Sequence, residues 1–324
     1  MNIGTKRIDG FVLALLAAAC LAALVPWLGA VEGPLHPRLL NRAGVWLIYF
    51  AQGLLLSLAE FRHAGSAWRV HVLIQGLTFL GFPLLGIALL TLTRPWTGLD
   101  LGVGLLFLCA LPSTVTSSVA LTALARGHTS LAVVNAALSS MLGVVITPLW
   151  LTLALPVAAR SAPLGPVFVD LALIMVLPLA LGQLLRPWLG FWATQRRRAF
   201  GTLDRAIVVL LVFTALADSF HKRVWFEQGP RATLVAAFAS IACLGLALWA
   251  ALKLSSLMRL TNTDRSAVVF CSATKSLVTG VPLAQLLFGN DGHVGVVLLP
   301  ILVYHPLQLV VCSGLARKWG AAEG

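Results

Sequence analysis

The chain has 324 residues, 59% of them hydrophobic and only 10% charged, with a formal net charge of +12. An ordinary soluble domain carries about 25% charged residues, and a mean hydropathy of +0.93 excludes that class. Apolar stretches of about 20 residues recur from end to end, each long enough to cross a ~30 Å hydrocarbon core, so the expected fold is an all-α polytopic membrane protein.

About ten transmembrane helices are predicted, at residues 8–30, 39–60, 70–92, 100–124, 129–157, 163–189, 203–220, 231–256, 265–289 and 293–316. Phe11 to Ala30 follows Lys6 and Arg7 as a signal peptide does. It is too long for an h-region, however, and Pro26-Trp27-Leu28 offers no small-x-small cleavage site, so it is read as the first transmembrane helix. The termini and the loops on their side hold fifteen of the 23 basic residues, and the opposite side holds seven, among them Arg38 and Arg42. Lys275 completes the set. The excess predicts both termini in the cytoplasm, in a multi-pass protein of the plasma (inner) membrane. The basic charge is therefore topology: the loop Gln195–Phe200, "QRRRAF", is expected to face anionic membrane lipids and no nucleic acid.

Cys20, Cys109, Cys243, Cys271 and Cys312 all fall inside predicted helices without a CxxC pair, which reads as small apolar packing. There is no HExxH, GxSxG or Walker loop, and no reading as an enzyme is supported.

The fourth and ninth segments look alike. Cys109-Ala-Leu-Pro-Ser-Thr-Val-Thr-Ser-Ser opens one and Cys271-Ser-Ala-Thr-Lys-Ser the core of the other, followed by Gly127 and Gly289 and then by proline-bearing helices, "VITPLW" and "VYHPLQ". If residues 1–158 and 159–324 are two five-helix repeats, the odd helix number inverts the second relative to the first. Paired, interrupted segments then mark a binding site near the midplane. Pro112 and Pro282 are each expected to free backbone groups at a break, which must face protein or a wet cavity. The clustered hydroxyls Ser113, Thr114, Thr116, Ser117 and Ser118, with Ser272, Thr274 and Ser276, are the candidate ligands. Two kinked helices packed through Ser and Thr are the plain structural alternative.

These residues carry a resemblance. "LPSTVTSSVALTALARG" (Leu111–Gly127), "VVNAALSSMLGVVITP" (Val133–Pro148), "FCSATKSLVTGVPLAQLLF" (Phe270–Phe288) and "YHPLQ" (Tyr304–Gln308) are similar to the bile acid:sodium symporter superfamily, and closest to its symporter-like branch. The resemblance implies a panel domain of helices 1, 2, 6 and 7 and a core domain of helices 3–5 and 8–10. Broken helices 4 and 9 then cross in the core, and substrate binds between the domains. It places sodium ligands at Gln75 and at Ser117 and Ser118. The helix-5 hydroxyl ligands fall on Ala132 and Ala136, with Asn135 and Ser139 the nearest polar residues. The helix-9 glutamate falls on Cys271 or Ser272, and a glutamine one turn later falls on Lys275. Two sodium ions are therefore not expected to bind as in the bile acid carriers.

A charge at that depth costs at least ~2.5–3.5 kcal/mol on insertion scales, so Lys275 must have partners or be neutral part of the time. Three roles stay open for it: a proton carrier standing in for the cation, a permanent charge locked to helix-4 carbonyls, or an anchor for an anionic substrate. His305, one turn before Gln308, is either a packing residue or a second proton carrier. Glu60, Asp170, Asp204, Asp218 and Asp264 lie near predicted helix ends, so no mid-membrane carboxylate is expected. The function expected is secondary active transport of a small amphipathic organic anion, coupled to sodium at a reduced site, to protons through Lys275 and His305, or to neither. The alternative is a non-transporting membrane regulator or scaffold that keeps the fold. Oligomeric state is not legible.

Overall fold

A computed structural model of the chain describes residues 10–55, 67–154, 169, 172–288 and 293–322. Helix α1 (Gly10–Leu24) stops where Val25 leaves the helical region, and α2 (Pro26–Gly29) restarts with proline at its first position, where no donor is needed. Helix α3 (Pro37–Leu55) follows. Helix α4 (Trp68–Gly76) runs through a π-helical turn (Leu77–Gly81) into α5 (Phe82–Ala110). Then come α6 (Thr116–Leu124), α7 (Thr129–Ala154), α8 (Leu177–Gln195, entered by a second π turn, Ala172–Val176) and α9 (Arg197–His221). Helices α10 (Val224–Leu257), α11 (Asn262–Ala273), α12 (Leu277–Phe288) and α13 (Val294–Ala322) complete the chain.

Seven helical runs among the described residues are long and apolar enough to span a membrane. One of them, Trp68–Ala110, is 43 residues long and holds the predicted span 70–92 and the first part of 100–124, whose remainder is α6 beyond the break. The chain turns between those spans at Gly98 (φ 68°, ψ −169°), a conformation that costs little only for glycine, and Gly229 (φ 72°, ψ 162°) does the same inside α10. With α1 and α3, which are shorter or more polar, each predicted span is met by helix at least in part among the described residues.

Three sequence expectations are corrected. "QRRRAF" is not a loop: α8 runs to Gln195 and α9 begins at Arg197, leaving Arg196 alone as the turn. Pro282 marks no break, because α12 continues through it. The ninth segment breaks earlier, at 274–276, while the fourth breaks at 111–115 with Pro112 inside the gap. Lys6, Arg7, Glu60, Asp170 and Gly289 lie outside the described residues.

Burial ranks the spans. In the apolar window of Asn262–Phe288, 94% of residues are buried, against 28–56% for the other spans, so the ninth segment is the axis around which the rest is arranged. Polar side chains are tolerable there because they meet protein, not lipid. Two histidine–aspartate pairs tie its neighbours in: His128 Nδ1 to Asp264 at 3.0 Å joins the start of α7 to α11, and His293 Nδ1 to Asp100 at 2.9 Å joins the start of α13 to α5.

Away from this axis, α3 packs on α8 through glycines. A Cβ on Gly182 would collide with the carbonyl oxygen of Phe50 and with Gly53 Cα at 2.9 Å. Gly182→Ala should therefore force the helices apart at ~1–3 kcal/mol, lowering the unfolding temperature by about 2–6 °C. Gly245→Ala, where a Cβ meets nothing within 4 Å, should leave it unchanged; equal effects in a thermal melt would show that the α3–α8 contact is loose.

Candidate functional site

Where α5 ends and the chain leaves the helix, four successive carbonyls, from Cys109 to Pro112, find donors elsewhere. Cys109 O and Leu111 O accept from Lys275 Nζ at 3.1 and 2.7 Å, Ala110 O from Thr147 Oγ1 at 2.7 Å, and Pro112 O from Ser276 N at 2.9 Å. Lys275 Nζ also reaches Thr78 O at 3.4 Å, on the π turn, and lies 4.0 Å from the centroid of the Phe82 ring. Its side chain is 0% exposed. Three carbonyl dipoles and an aromatic face replace the water that the ammonium has lost.

The second break is held from the other side. Gln308 treats the Lys275 peptide as a strand partner would: its Oε1 accepts Lys275 N–H at 2.7 Å and its Nε2 donates to Lys275 O at 2.9 Å. The remaining Nε2 hydrogen points to His305 Nδ1 at 2.9 Å, so that nitrogen acts as the acceptor. His305 stacks edge-on to Phe11 of α1, and Tyr304 donates its hydroxyl to Ala273 O at 2.7 Å. Ser276 Oγ accepts Thr279 N–H at 3.1 Å and so caps α12.

Side chains from the two breaks then meet. Thr114 donates to Thr274 Oγ1 at 3.0 Å, with Ser113 Oγ 3.3 Å from the same atom, and Ser113 N–H donates to Ser139 Oγ at 2.9 Å. Ser113, Thr114, Ser139, Thr274, Lys275, Ser276, His305 and Gln308 thus form one buried constellation. Thr116 is exposed and Ser117 half-buried, and neither joins these bonds. Ser118 and Ser272 turn their hydroxyls onto Thr114 O and Val268 O of their own chain segments. Gln75 donates to Asn135 O and Oδ1 at 3.1 and 3.2 Å, while its own Oε1 is buried without a partner.

The donor set does not suit sodium, which needs several oxygens converging on one point. Ala132 and Ala136 contribute only methyl groups, and the Cys271 thiol donates to Ala132 O at 3.7 Å. Ser118 Oγ donates to the carbonyls of its own segment and keeps its lone pairs, but the carbonyls that face the crossing, Cys109 O and Leu111 O, accept from Lys275 Nζ. Gln75 Oε1 and Ser118 Oγ are too few oxygens to make a site. No cluster of metal-ligating side chains occurs among the described residues.

A second feature was missed in the sequence. A cleft of about 260 Å³ lies between α3 and α9 on one side and α12 and α13 on the other, with Arg38, Arg42, Asn41, Thr214 and Gln285 in its walls. The arginines are one helical turn apart, exposed, and without an acidic partner among the described residues. Asp218 in the same cleft is engaged by Lys222 Nζ and Val31 N, both at 3.0 Å. Their signal in the sequence is an i,i+4 arginine pair at the mouth of an apolar segment.

The chain matches the SBF-like CPA transporter family over residues 9–321. It is 36% identical over 311 residues to the uncharacterized protein PA2026 of Pseudomonas aeruginosa, covering 96% of this chain and 92% of that one. With the candidate symporter YfeH of Escherichia coli it shares 32% over 318 residues (97% and 93%), and with sodium/bile acid cotransporter 7 of Xenopus tropicalis 29% over 323 residues (97% and 93%).

Removing the Lys275 side chain relieves a buried charge but strands carbonyls at about 1–3 kcal/mol for each unpaired group, and leaves a void. The second effect is the larger. Lys275→Ala should lower the unfolding temperature by more than about 5 °C, whereas Lys253→Ala on the exposed face of α10 should stay within ~0.5 kcal/mol of wild type. Equal melts for the two variants would remove Lys275 from the framework of the site.

Proposed function

The chain belongs to the SBF-like CPA transporter family, and from that premise we propose that it carries a small amphipathic organic anion across the membrane by alternating access, with the Lys275 ammonium in place of a coupling cation. The observation that carries this reading is the hydrogen-bonded crossing at Lys275 together with a cleft farther along α12 that carries the guanidinium groups of Arg38 and Arg42. A planar fork suits a carboxylate, sulfonate or phosphate, and the apolar walls from Val45, Ile174 and Leu286 suit a hydrophobic body.

Helices 1, 2, 6 and 7 form the proposed panel domain and helices 3–5 and 8–10 the core, which rock against each other along the cleft. Inverted five-helix repeats explain why two broken segments lie back to back. The panel and core contribute different cleft walls, so substrate binding and domain closure are one event. We place the protein in the plasma (inner) membrane with both termini in the cytoplasm, on the strength of the fifteen-to-seven division of basic residues. No sodium step is drawn, for the reasons of geometry given above. His305 Nδ1 meets Gln308, which bonds the Lys275 backbone, while Lys275 Nζ bonds Thr78 O, Cys109 O and Leu111 O, and no proton step between the two side chains is drawn.

Uptake of radiolabelled cholate, an anionic steroid chosen because relatives are named for bile acids, into proteoliposomes tests the reading. Wild type should take up cholate equally in sodium and in potassium, and Arg38→Gln with Arg42→Gln should lower uptake about tenfold, the loss of a charge-assisted pair at ~1.5–3 kcal/mol. A sodium-dependent rate would restore a sodium site. If neither cholate nor a panel of smaller organic anions is taken up, and none protects a cysteine introduced into the cleft, the scaffold reading replaces transport.

A further inference from the structure

A groove of about 720 Å³ follows α4, the π turn at Leu77–Gly81 and the start of α5, and is closed on its other flank by Leu254 and Met258 near the end of α10. Its surface is almost entirely aliphatic. Val72, Leu80 and Leu84 on its walls are 51–61% exposed, on the outer surface of the helix bundle. The floor is open because of two glycines. A Cβ at Gly76 would meet nothing within 4 Å, and one at Gly81 would first meet Leu77 at 3.7 Å. They lie five residues apart, the spacing of one π-helical hydrogen bond, and so fall on the same side of the turn.

One end of the groove is charged. Arg69 lines it without an acidic partner among the described residues, and its guanidinium lies 5.6 Å from the ring centroid of Trp68. Tryptophan and arginine side by side at the start of a span mark the headgroup level. From Arg69 to Leu84 the helix rises roughly 22 Å at ~1.5 Å per residue, more than half of a ~30 Å hydrocarbon core. The groove is thus as long as one leaflet, apolar throughout, and cationic where a headgroup would sit.

We propose that this groove binds one anionic phospholipid, with an acyl chain over Gly76 and Gly81 and the phosphate against Arg69. Charge complementarity selects the anionic headgroup over a zwitterionic one. The seat has a structural consequence, because the far side of the same π turn presents Thr78 O and the Phe82 ring to Lys275 Nζ. A chain in the groove therefore buttresses the turn that cradles the buried ammonium. The inference does not rest on transport, since lipid retention is measured without substrate.

The full-length protein in detergent, incubated with phosphatidylglycerol or phosphatidylcholine of identical acyl chains, is read by native mass spectrometry and by thermal unfolding. Wild type should retain phosphatidylglycerol about fivefold more than phosphatidylcholine, equivalent to ~1 kcal/mol for one basic residue at an anionic headgroup, and should melt higher with it. Arg69→Gln should bring the two lipids to parity. Gly76→Leu, which fills the floor, should reduce retention of both. Arg196→Gln is the control: that guanidinium also stacks on a tryptophan, 4.6 Å from the Trp192 ring, but at the end of α8 and away from the groove. It should leave the preference at about fivefold, whatever it does to total lipid retained. If Arg196→Gln erodes the preference as much as Arg69→Gln, general surface charge explains the binding and the site is lost. If Arg69→Gln keeps the preference, the headgroup assignment fails whether or not Gly76→Leu folds.

Discussion

A chain that leaves the helix inside a bilayer finds no partner in lipid for the backbone groups it frees, so they must meet protein or a wet cavity, and here they meet protein. At the end of α5 the partners come from four different places: Lys275 and Ser276 in the second break, Thr147 on α7 and the ladder of α5 itself. At 274–276 they come from α13 and from the first break. The two interruptions satisfy each other. Neither is stable alone, and this mutual dependence sets which helices must be neighbours and why the ninth span is the most enclosed.

Charge follows from the same constraint. Carbonyls aimed at one point make a negative potential, and something positive has to answer it. Here the answer is on the chain itself, as Lys275 Nζ between Cys109 O, Leu111 O and Thr78 O. Ala132 and Ala136 bring no side-chain oxygen to this region, and the Cys271 thiol bonds Ala132 O. A fixed ammonium needs fewer ligands than a hydrated ion, because it arrives with only three hydrogens to place.

The spans were legible because their apolar runs match bilayer thickness, and the resemblance carried the order of the broken segments. The first break was legible from Pro112 among its hydroxyls. The second was misplaced toward Pro282, because a proline inside a membrane helix is tolerated wherever neighbours absorb the freed carbonyl. Lys275 was recognisable as deep and in need of partners, but not the direction of its Nζ, since that depends on where α4 and α5 pass in space. Gly98 and both π turns left no signal in the hydropathy pattern. Each alters the backbone without changing how apolar the segment is. Arg38 and Arg42 were hidden for the opposite reason: their charge was plain, and only the packing of α3 against α9 and α12 turned it inward to a cleft.

A cation held by a covalent stem has no dissociation rate. A mobile ion arrives from one compartment and departs into another, and that exchange is what harnesses one gradient to build a second. In the proposed cycle the Lys275 ammonium would return with the protein at every turn, equally with cargo and without it. A machine so equipped gains reversibility and gives up concentrating power, since a tethered charge that keeps its proton brings no external driving force to the cargo's distribution.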